Sequence, residues 1–334
     1  MRSCPCDFSA GCPGKLPLRL GKQRRPERRG GLTLVELIVL LGVAVVLSLI
    51  LFPALNAARE SARVQACSQK LTQLVAATQV YESHARHLPP GCENPTGPIL
   101  SRPVGLHVSW IVHLLPYLGQ NALYDRFDQS AGAYAPDNSA VRRTHLAILT
   151  CPSRSDVQTG RTQTQQIASS NYVGSHHDVE APIDAENHGL LFLNSSIRYD
   201  EIPDGTSRTI LIGEAIPYEG DLGWVSGTRA TLRNGGSINA AYPPGTVVVA
   251  RVSSEREEVS DEVPKSELVA PANAVGTLSD SAALFVGGFG SYHASGIVNI
   301  AFVDGAVRSL DADIDPMVLQ QLTHRSDRPM AQRR

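Results

Sequence analysis

His293 is separated by ten residues from Asp304-Gly305. A His and an Asp with Ser291 and Ser295 close by have the residue types of a pair serving a hydroxyl nucleophile. The same residues also suit a turn. Asp304-Gly305 lies between the apolar runs Ile297–Val303 and Ala306–Leu310, the signal of a two-residue type I′ hairpin. A turn accounts for Asp-Gly without any substrate, so His293 is expected to anchor the preceding loop and the chain is not expected to be an enzyme. His176-His177-Asp178, with His188, offers metal-ligand types. Neighbours on an extended segment point to opposite faces, so one of the adjacent histidines can join a given site. Asp200-Glu201 with Asp204 is the best group for a hard cation, although an Asp204-Gly205 turn explains part of it. No zinc finger, P-loop or dinucleotide fingerprint occurs, and no metal or cofactor is assigned.

The elements that must position these groups begin with an asymmetry of charge. Residues 1–31 carry eight basic and two acidic side chains, a balance of +6. The chain total is −2, which leaves −8 for the remainder. A basic N-terminus ahead of an acidic body points to a targeting segment and not to nucleic acid. Composition (42% hydrophobic, 19% charged) excludes wholesale disorder and coiled coil. From Leu32 to Leu55 the only charge is Glu36. As a helix this segment is about 36 Å long, enough for a hydrocarbon core of about 30 Å. Lys22, Arg24, Arg25, Arg28 and Arg29 precede it, so the positive-inside rule keeps the N-terminus cytoplasmic. Glu36 is costly in lipid and needs a partner or a headgroup to snorkel to.

Beyond Pro53 the helical pattern resumes over Asn56–Arg86, which lacks Pro and Gly. Val64, Cys67, Leu71, Leu74, Val75 and Thr78 recur at three- and four-residue steps. Pro53 is therefore expected to kink one long helix and not to end it, and the second half to lay one face on a globular domain. Arg59 and Arg63 lie just past the membrane, where they face headgroups, a neighbour's acids or plain solvent. Trp110, Trp224, Tyr117 and Tyr124 read as core anchors. Short strands are expected at Leu146–Leu149, Asn171–Val173, Leu190–Leu193 and Thr209–Glu214. A final helix is expected near Met317–Thr323 behind Asp315-Pro316. Residues 226–282 read as an insertion with a strand pair around Thr246–Val252.

Gly30-Gly31-Leu32-Thr33-Leu34-Val35-Glu36-Leu37 resembles the prepilin cleavage and methylation motif of type IV pilins and type II secretion pseudopilins. The resemblance implies cleavage after Gly31 and N-methylation of Leu32, where the family usually has Phe. It also implies assembly roles for Glu36, which would pair with a neighbour's terminal amine, and for Pro53, which would be residue 22 of the mature chain. Cys4, Cys6 and Cys12 lie in the leader, leaving Cys67, Cys92 and Cys151. Three cysteines allow one disulfide and one thiol, and export permits a disulfide.

A narrower resemblance spans residues 30–310. Ala58–Arg63, Cys67–Leu71, Leu88–Gly91, Ser109–Leu118, Cys151-Pro152-Ser153, Ser170–Gly174, Asp204–Glu214 and His293 with Asn299–Gly305 resemble the DUF1559 type of pilin-like proteins. His293, Asp304 and Gly305 match that family's His-x9-Asp-Gly signature with one additional residue, assigned to Ile297, which would place a β-bulge in the strand. Cys67 and Cys151 match family positions, so the resemblance implies that they form the disulfide, with Cys92 the alternative partner.

The implied fold is α+β: a pilin-like long N-terminal helix, membrane-spanning in its first half, packed on a mainly antiparallel β-rich globular domain. The leader is 1–31, the helix 32–86, the globular domain 87–324 and a disordered tail 325–334. The expected function is a pilin-like or pseudopilin-like structural subunit, membrane-held before filament assembly. The alternative is a membrane-anchored exported module that binds a cell-envelope polymer or glycan. Expected partners are a prepilin peptidase/methyltransferase, inner-membrane lipid and other pilin-like subunits, with no nucleic acid. The expected location is the bacterial inner membrane, single-pass, with the C-terminal domain periplasmic or extracellular.

Overall fold

A computed structural model of the chain describes residues 33–154, 167–218, 220–238 and 280–327. Gly31, Leu32, the rest of the leader and Thr246–Val252 lie outside the described residues. The chain divides into two units, residues 1–54 and 55–334.

Helix α1 (Leu34–Ala85) runs through Pro53 without ending. Within the first unit, every side chain from Leu34 to Phe52 is exposed, and this segment is long and apolar enough to cross a membrane. The helix starts on a capping box. Thr33 Oγ accepts the Glu36 N–H at 3.2 Å, and Glu36 Oε2 accepts the Thr33 N–H at 2.8 Å. Two of the otherwise unpaired first-turn donors are thereby satisfied.

In the second unit the stripe Cys67, Leu71, Leu74, Val75 and Thr78 is fully buried, as its spacing predicts. After α1 come β1 (Cys92–Glu93), β2 (Val108–Ser109), α2 (Trp110–Leu114), α3 (Asn121–Arg126) and α4 (Ser139–Arg142). The chain continues with β3 (Tyr172–His177), β4 (Ile210–Glu214), β5 (Leu232–Ile238), α5 (Asp280–Leu284) and β6 (Gly288–Phe289), and ends with β7 (Ile297–Phe302), β8 (Val307–Asp311) and α6 (Pro316–Thr323). Leu146–Leu149 forms a 3-10 turn at Ala147–Leu149 instead of a strand, and Leu190–Leu193 contributes only an isolated bridge from Leu193 to Cys92. Trp110 and Trp224 are completely buried. Their indole N–H groups donate to Thr231 O and Thr144 O, each at 2.9 Å.

The main sheet has six strands in the order β6-β5-β3-β4-β7-β8. It is mainly antiparallel, as expected, but mixed and not strictly so. β3/β4, β4/β7 and β7/β8 are antiparallel, but β5 runs parallel to both β3 and β6. The cause is the path after β4: the chain passes to the far side of β3 and enters β5 in the same sense as β3. Residues 232–238, inside the stretch expected to be an insertion, are thus a strand within the sheet.

Period-two alternation divides the side chains between two cores. Tyr172, Leu211, Leu232 and Ala301 join the α1 stripe, whereas Val173, Ile210, Val298, Ile300 and Phe302 pack with Leu319 of α6. Asp315 caps α6 by accepting the Met317 N–H at 2.8 Å, with Pro316 at the first helical position.

The β7–β8 connection differs in detail from a two-residue type I′ turn. Gly305 N–H donates to Phe302 O at 3.0 Å and Phe302 N–H to Ala306 O at 2.9 Å. Gly305 alone is left-handed, at φ +93°. This is a type I turn closed by a glycine bulge, the three-residue hairpin. Asp304 supports it by accepting the Ala306 N–H at 2.9 Å. Ile297 faces Asp311 in unbroken register, so it makes no bulge. The register shift instead falls between Ile210 and Ile212, opposite Phe302 and Ala301. The C-terminal segment holds on further than residue 324. Arg325 N–H donates to His188 O at 3.0 Å, and the Asp327 N–H donates to Asp204.

Candidate functional site

Glu60 and Cys67 lie seven residues apart, two helical turns, on the same face of α1. That face meets the segment Cys151–Ser153, the end of β4 at Glu214, and the loop between β6 and β7 that carries His293. His293 is the hub. Its ring is completely buried, with Nδ1 3.0 Å from Glu60 Oε1 and Nε2 3.1 Å from Glu214 Oε1. Glu214 Oε2 accepts the Asn299 N–H at 2.8 Å. Ser153 Oγ lies 3.0 Å from His293 Nδ1 and donates to Glu60 Oε1 at 3.2 Å. Glu60 also pairs with Arg63, one turn along the helix.

Burial works against charge on His293, but Glu214 first and then Glu60 outweigh it and hold the imidazole up at about 9. His293 is therefore an imidazolium at neutral pH. Both ring nitrogens donate, and each carboxylate finds a compensating cation. For Glu60, burial alone would favour the neutral acid. Hydrogen bonds from His293, Arg63 and Ser153 reverse this and lower its carboxyl below the ordinary value. A protonated His between two carboxylates makes the Ser153–His293–Glu214 arrangement an electrostatic clamp. The clamp ties α1 to the sheet.

Beside the clamp, Cys67 Sγ and Cys151 Sγ are thiols 2.9 Å apart. Their contact lowers Cys151, while the same contact and burial raise Cys67. Cys92 is buried elsewhere, in β1 against Gly227. The donor atoms of Cys67, Cys151, Glu214 and His293 lie within 4.8 Å of one another. Since both His293 nitrogens are engaged by carboxylates, this group is already compensated without an ion.

His293 and Asp304, matched together in the signature, do not pair: Asp304 serves the hairpin turn and His293 the clamp. Ser291 donates to Ile297 O, and Ser295 is exposed. Asp200 pairs with Arg198, Glu201 accepts the Arg198 N–H, and Asp204 accepts the Asp327 N–H, so these three do not converge. At the end of β3 the adjacent histidines diverge as expected. His176 Nε2 turns to Ala181 O at 3.0 Å, whereas His177 meets the Asp178 carboxylate and the His188 ring.

Sequence reasoning missed Glu60, Ser153 and Glu214 as the partners of His293. A signal was present for Glu214. It closes the apolar run Ile210-Leu211-Ile212-Gly213, and a carboxylate on a buried strand demands a cation.

A family model described as a protein of unknown function (DUF1559) matches residues 56–317. The matched stretch holds Glu60, Cys67, Cys151, Ser153, Glu214 and His293 and begins after Gly31 and Glu36. No curated protein and no solved structure matches the chain.

Proposed function

The chain belongs to the DUF1559 family, and from that premise we propose that it is a type IV pilin-like or type II secretion pseudopilin-like structural subunit. A prepilin peptidase cuts after Gly31, the same enzyme methylates Leu32, and the remaining chain is held in the inner membrane by the first half of α1 until assembly. The observation that carries this reading is the order of parts: a basic leader, Gly31, a Glu five residues further on, and one helix that continues from an apolar segment into the residues that pack the globular body.

Each part has a physical task. The leader's positive charge orients insertion. The exposed apolar segment Leu34–Phe52 is covered by lipid before assembly and by equivalent helices afterwards. Glu36 then meets the terminal amine of a neighbouring subunit, and the two costly charges offset each other in hydrocarbon. Before a neighbour arrives, the capping box to Thr33 satisfies one oxygen of Glu36. The clamp at His293 supports the reading from the other side, because force or torque on the helix reaches the body through Glu60. In this role the protein is a scaffold and not a catalyst.

Intact mass of the native protein tests the proposal. Loss of residues 1–31 plus one methyl group on the new terminus is expected, and Gly31→Leu blocks both changes. A native chain that begins at Met1, or processing indifferent to Gly31→Leu, overturns it.

A further inference from the structure

The end of β3, the loop that follows it and the segment after α6 converge on one small surface. His177 Nδ1 lies 2.7 Å and His188 Nδ1 2.9 Å from the same oxygen, Asp178 Oδ1. The three donor atoms all lie within 4.8 Å of one another. The two imidazole rings are 4.3 Å apart, and the ring of His324 closes the far side, 4.6 Å from His188.

The arrangement is held from outside the cluster. Gly189 N–H donates to His176 O at 2.9 Å. A side chain at Gly189 would come within 2.5 Å of the His176 carbonyl carbon, so only glycine lets the His188 segment lie so close to β3. Arg325 fixes the other side. Its backbone N–H donates to His188 O at 3.0 Å and its guanidinium to Gly189 O at 2.9 Å. The donors are thus placed by backbone contacts independent of any ion.

The hydrogen bonding at His177 is the second observation. Its Nδ1 accepts the Val179 N–H at 3.2 Å, which calls for a lone pair, and the same atom faces the Asp178 carboxylate. At 2.7 Å the contact with Asp178 needs a proton on Nδ1 or a metal ion in its place, and either one takes the lone pair that the Val179 N–H faces. We propose that His177, Asp178 and His188 form a site for a first-row divalent transition-metal ion, of which Zn²⁺ is the representative case.

Two imidazoles and one carboxylate are a borderline donor set that suits Zn²⁺ and its neighbours better than Ca²⁺ or Mg²⁺. On binding, the ion takes the lone pairs of both Nδ1 atoms, and any proton held there passes to water. His188 is about half exposed, so the ion can enter and water can complete its coordination. His324 accepts the Ser326 N–H on Nδ1 at 3.0 Å and forms a wall beside the site. The ion would cross-link β3, its following loop and, through Arg325, the end of α6.

The test uses the full chain in detergent micelles, without a polyhistidine tag. Zn²⁺ is titrated against a chelating dye, and Co²⁺ binding is followed by absorption. One Zn²⁺ per chain is expected, with Co²⁺ bands of nitrogen and oxygen ligation and no near-ultraviolet thiolate band. Changes to supporting groups alone cost about 10–100-fold in metal affinity, so His188→Ala should lose at least that. His145→Ala, an exposed control, should lose nothing. His188 is exposed enough to be replaced without unfolding, and far-ultraviolet circular dichroism checks this. Absence of stoichiometric binding overturns the proposal. So does unchanged affinity in His188→Ala, and so does a thiolate–Co²⁺ band, which would place the ion on cysteine, at Cys67 and Cys151 or at the leader's Cys4, Cys6 and Cys12.

Discussion

His293 Nε2 lies 3.1 Å from Glu214 Oε1, and the side chains of both residues are sealed from solvent. The pair joins a strand in the centre of the sheet to a loop at its end, and Glu60 extends it to α1. An ion pair so placed is held by its surroundings, and its energetics depend on which groups keep their protons.

The pH dependence follows. Unfolding returns His293 from about 9 to its ordinary 6.5. A raised pKa stabilises the fold fully below 6.5 and ceases to do so as pH climbs through 9. The groups around it are Glu60, Arg63, Ser153, Cys151, Cys67 and Glu214. The shift corresponds to about 3 kcal/mol. Thermal melts between pH 6 and 10 should show the loss, and His293→Gln should flatten it. On the acid side Glu60, whose carboxyl is lowered, contributes stability that disappears as pH falls below its ordinary value. A His293→Gln profile that keeps the alkaline slope would remove His293 as its source.

Replacing Glu214 by Leu should destabilise the chain by about 3–5 kcal/mol, the range for breaking a buried ion pair from one side. Glu60→Gln should cost less, since Glu60 retains some exposure and Gln keeps an acceptor. Denaturant unfolding of both variants measures the difference. Equal costs would contradict the ranking by burial.

Thr33→Val removes the hydroxyl of the capping box and should weaken the start of α1 by about 1 kcal/mol, leaving assembly intact. Glu36→Gln should leave cleavage intact and prevent incorporation beside a wild-type neighbour. Co-purification of differently tagged subunits separates the two. If both substitutions abolish co-purification equally, Glu36 acts through the cap alone.

Gly305→Ala should cost about 1–2 kcal/mol, because a side chain is strained at φ +93°. Asp304→Ala removes one turn hydrogen bond and should cost about 1 kcal/mol. Neither should disturb the His293 titration, which nuclear magnetic resonance of the imidazole can follow. A His293 shift in Asp304→Ala would contradict their separation.

The neighbouring thiols give a chemical test. After oxidation, Cys67 and Cys151 should appear in one linked peptide under non-reducing conditions, with Cys92 alkylated only on unfolding. Their 2.9 Å approach and the burial of Cys92 in β1 point to this outcome. Three alkylated cysteines in the oxidised native protein would contradict it.

What could be read from sequence was local. The stripe from Cys67 to Thr78, strands β4, β7 and β8, and the Asp315-Pro316 start of α6 depend on neighbours a few residues away, so periodicity and capping types reveal them. The parallel placement of β5 depends on a crossover, and residues 232–238 carry Arg233 and two glycines, Gly235 and Gly236, in place of an apolar strand pattern. The site was legible as separate fragments, each holding one polar member of the clamp. Their union was hidden because it is long-range, and because His293 and Asp304 stand together in one signature while serving different structures.

The reach of that clamp also sets a schedule. His293 follows Glu60 by 233 positions, and at about 5–20 residues per second of synthesis Glu60 is made about 10–50 s before the imidazole that meets it. Once residue 85 has been added α1 is complete, but the group that fastens it to the sheet is still missing. A nascent or truncated chain ending between residues 214 and 293 therefore carries two carboxylates, Glu60 and Glu214, with no imidazolium between them.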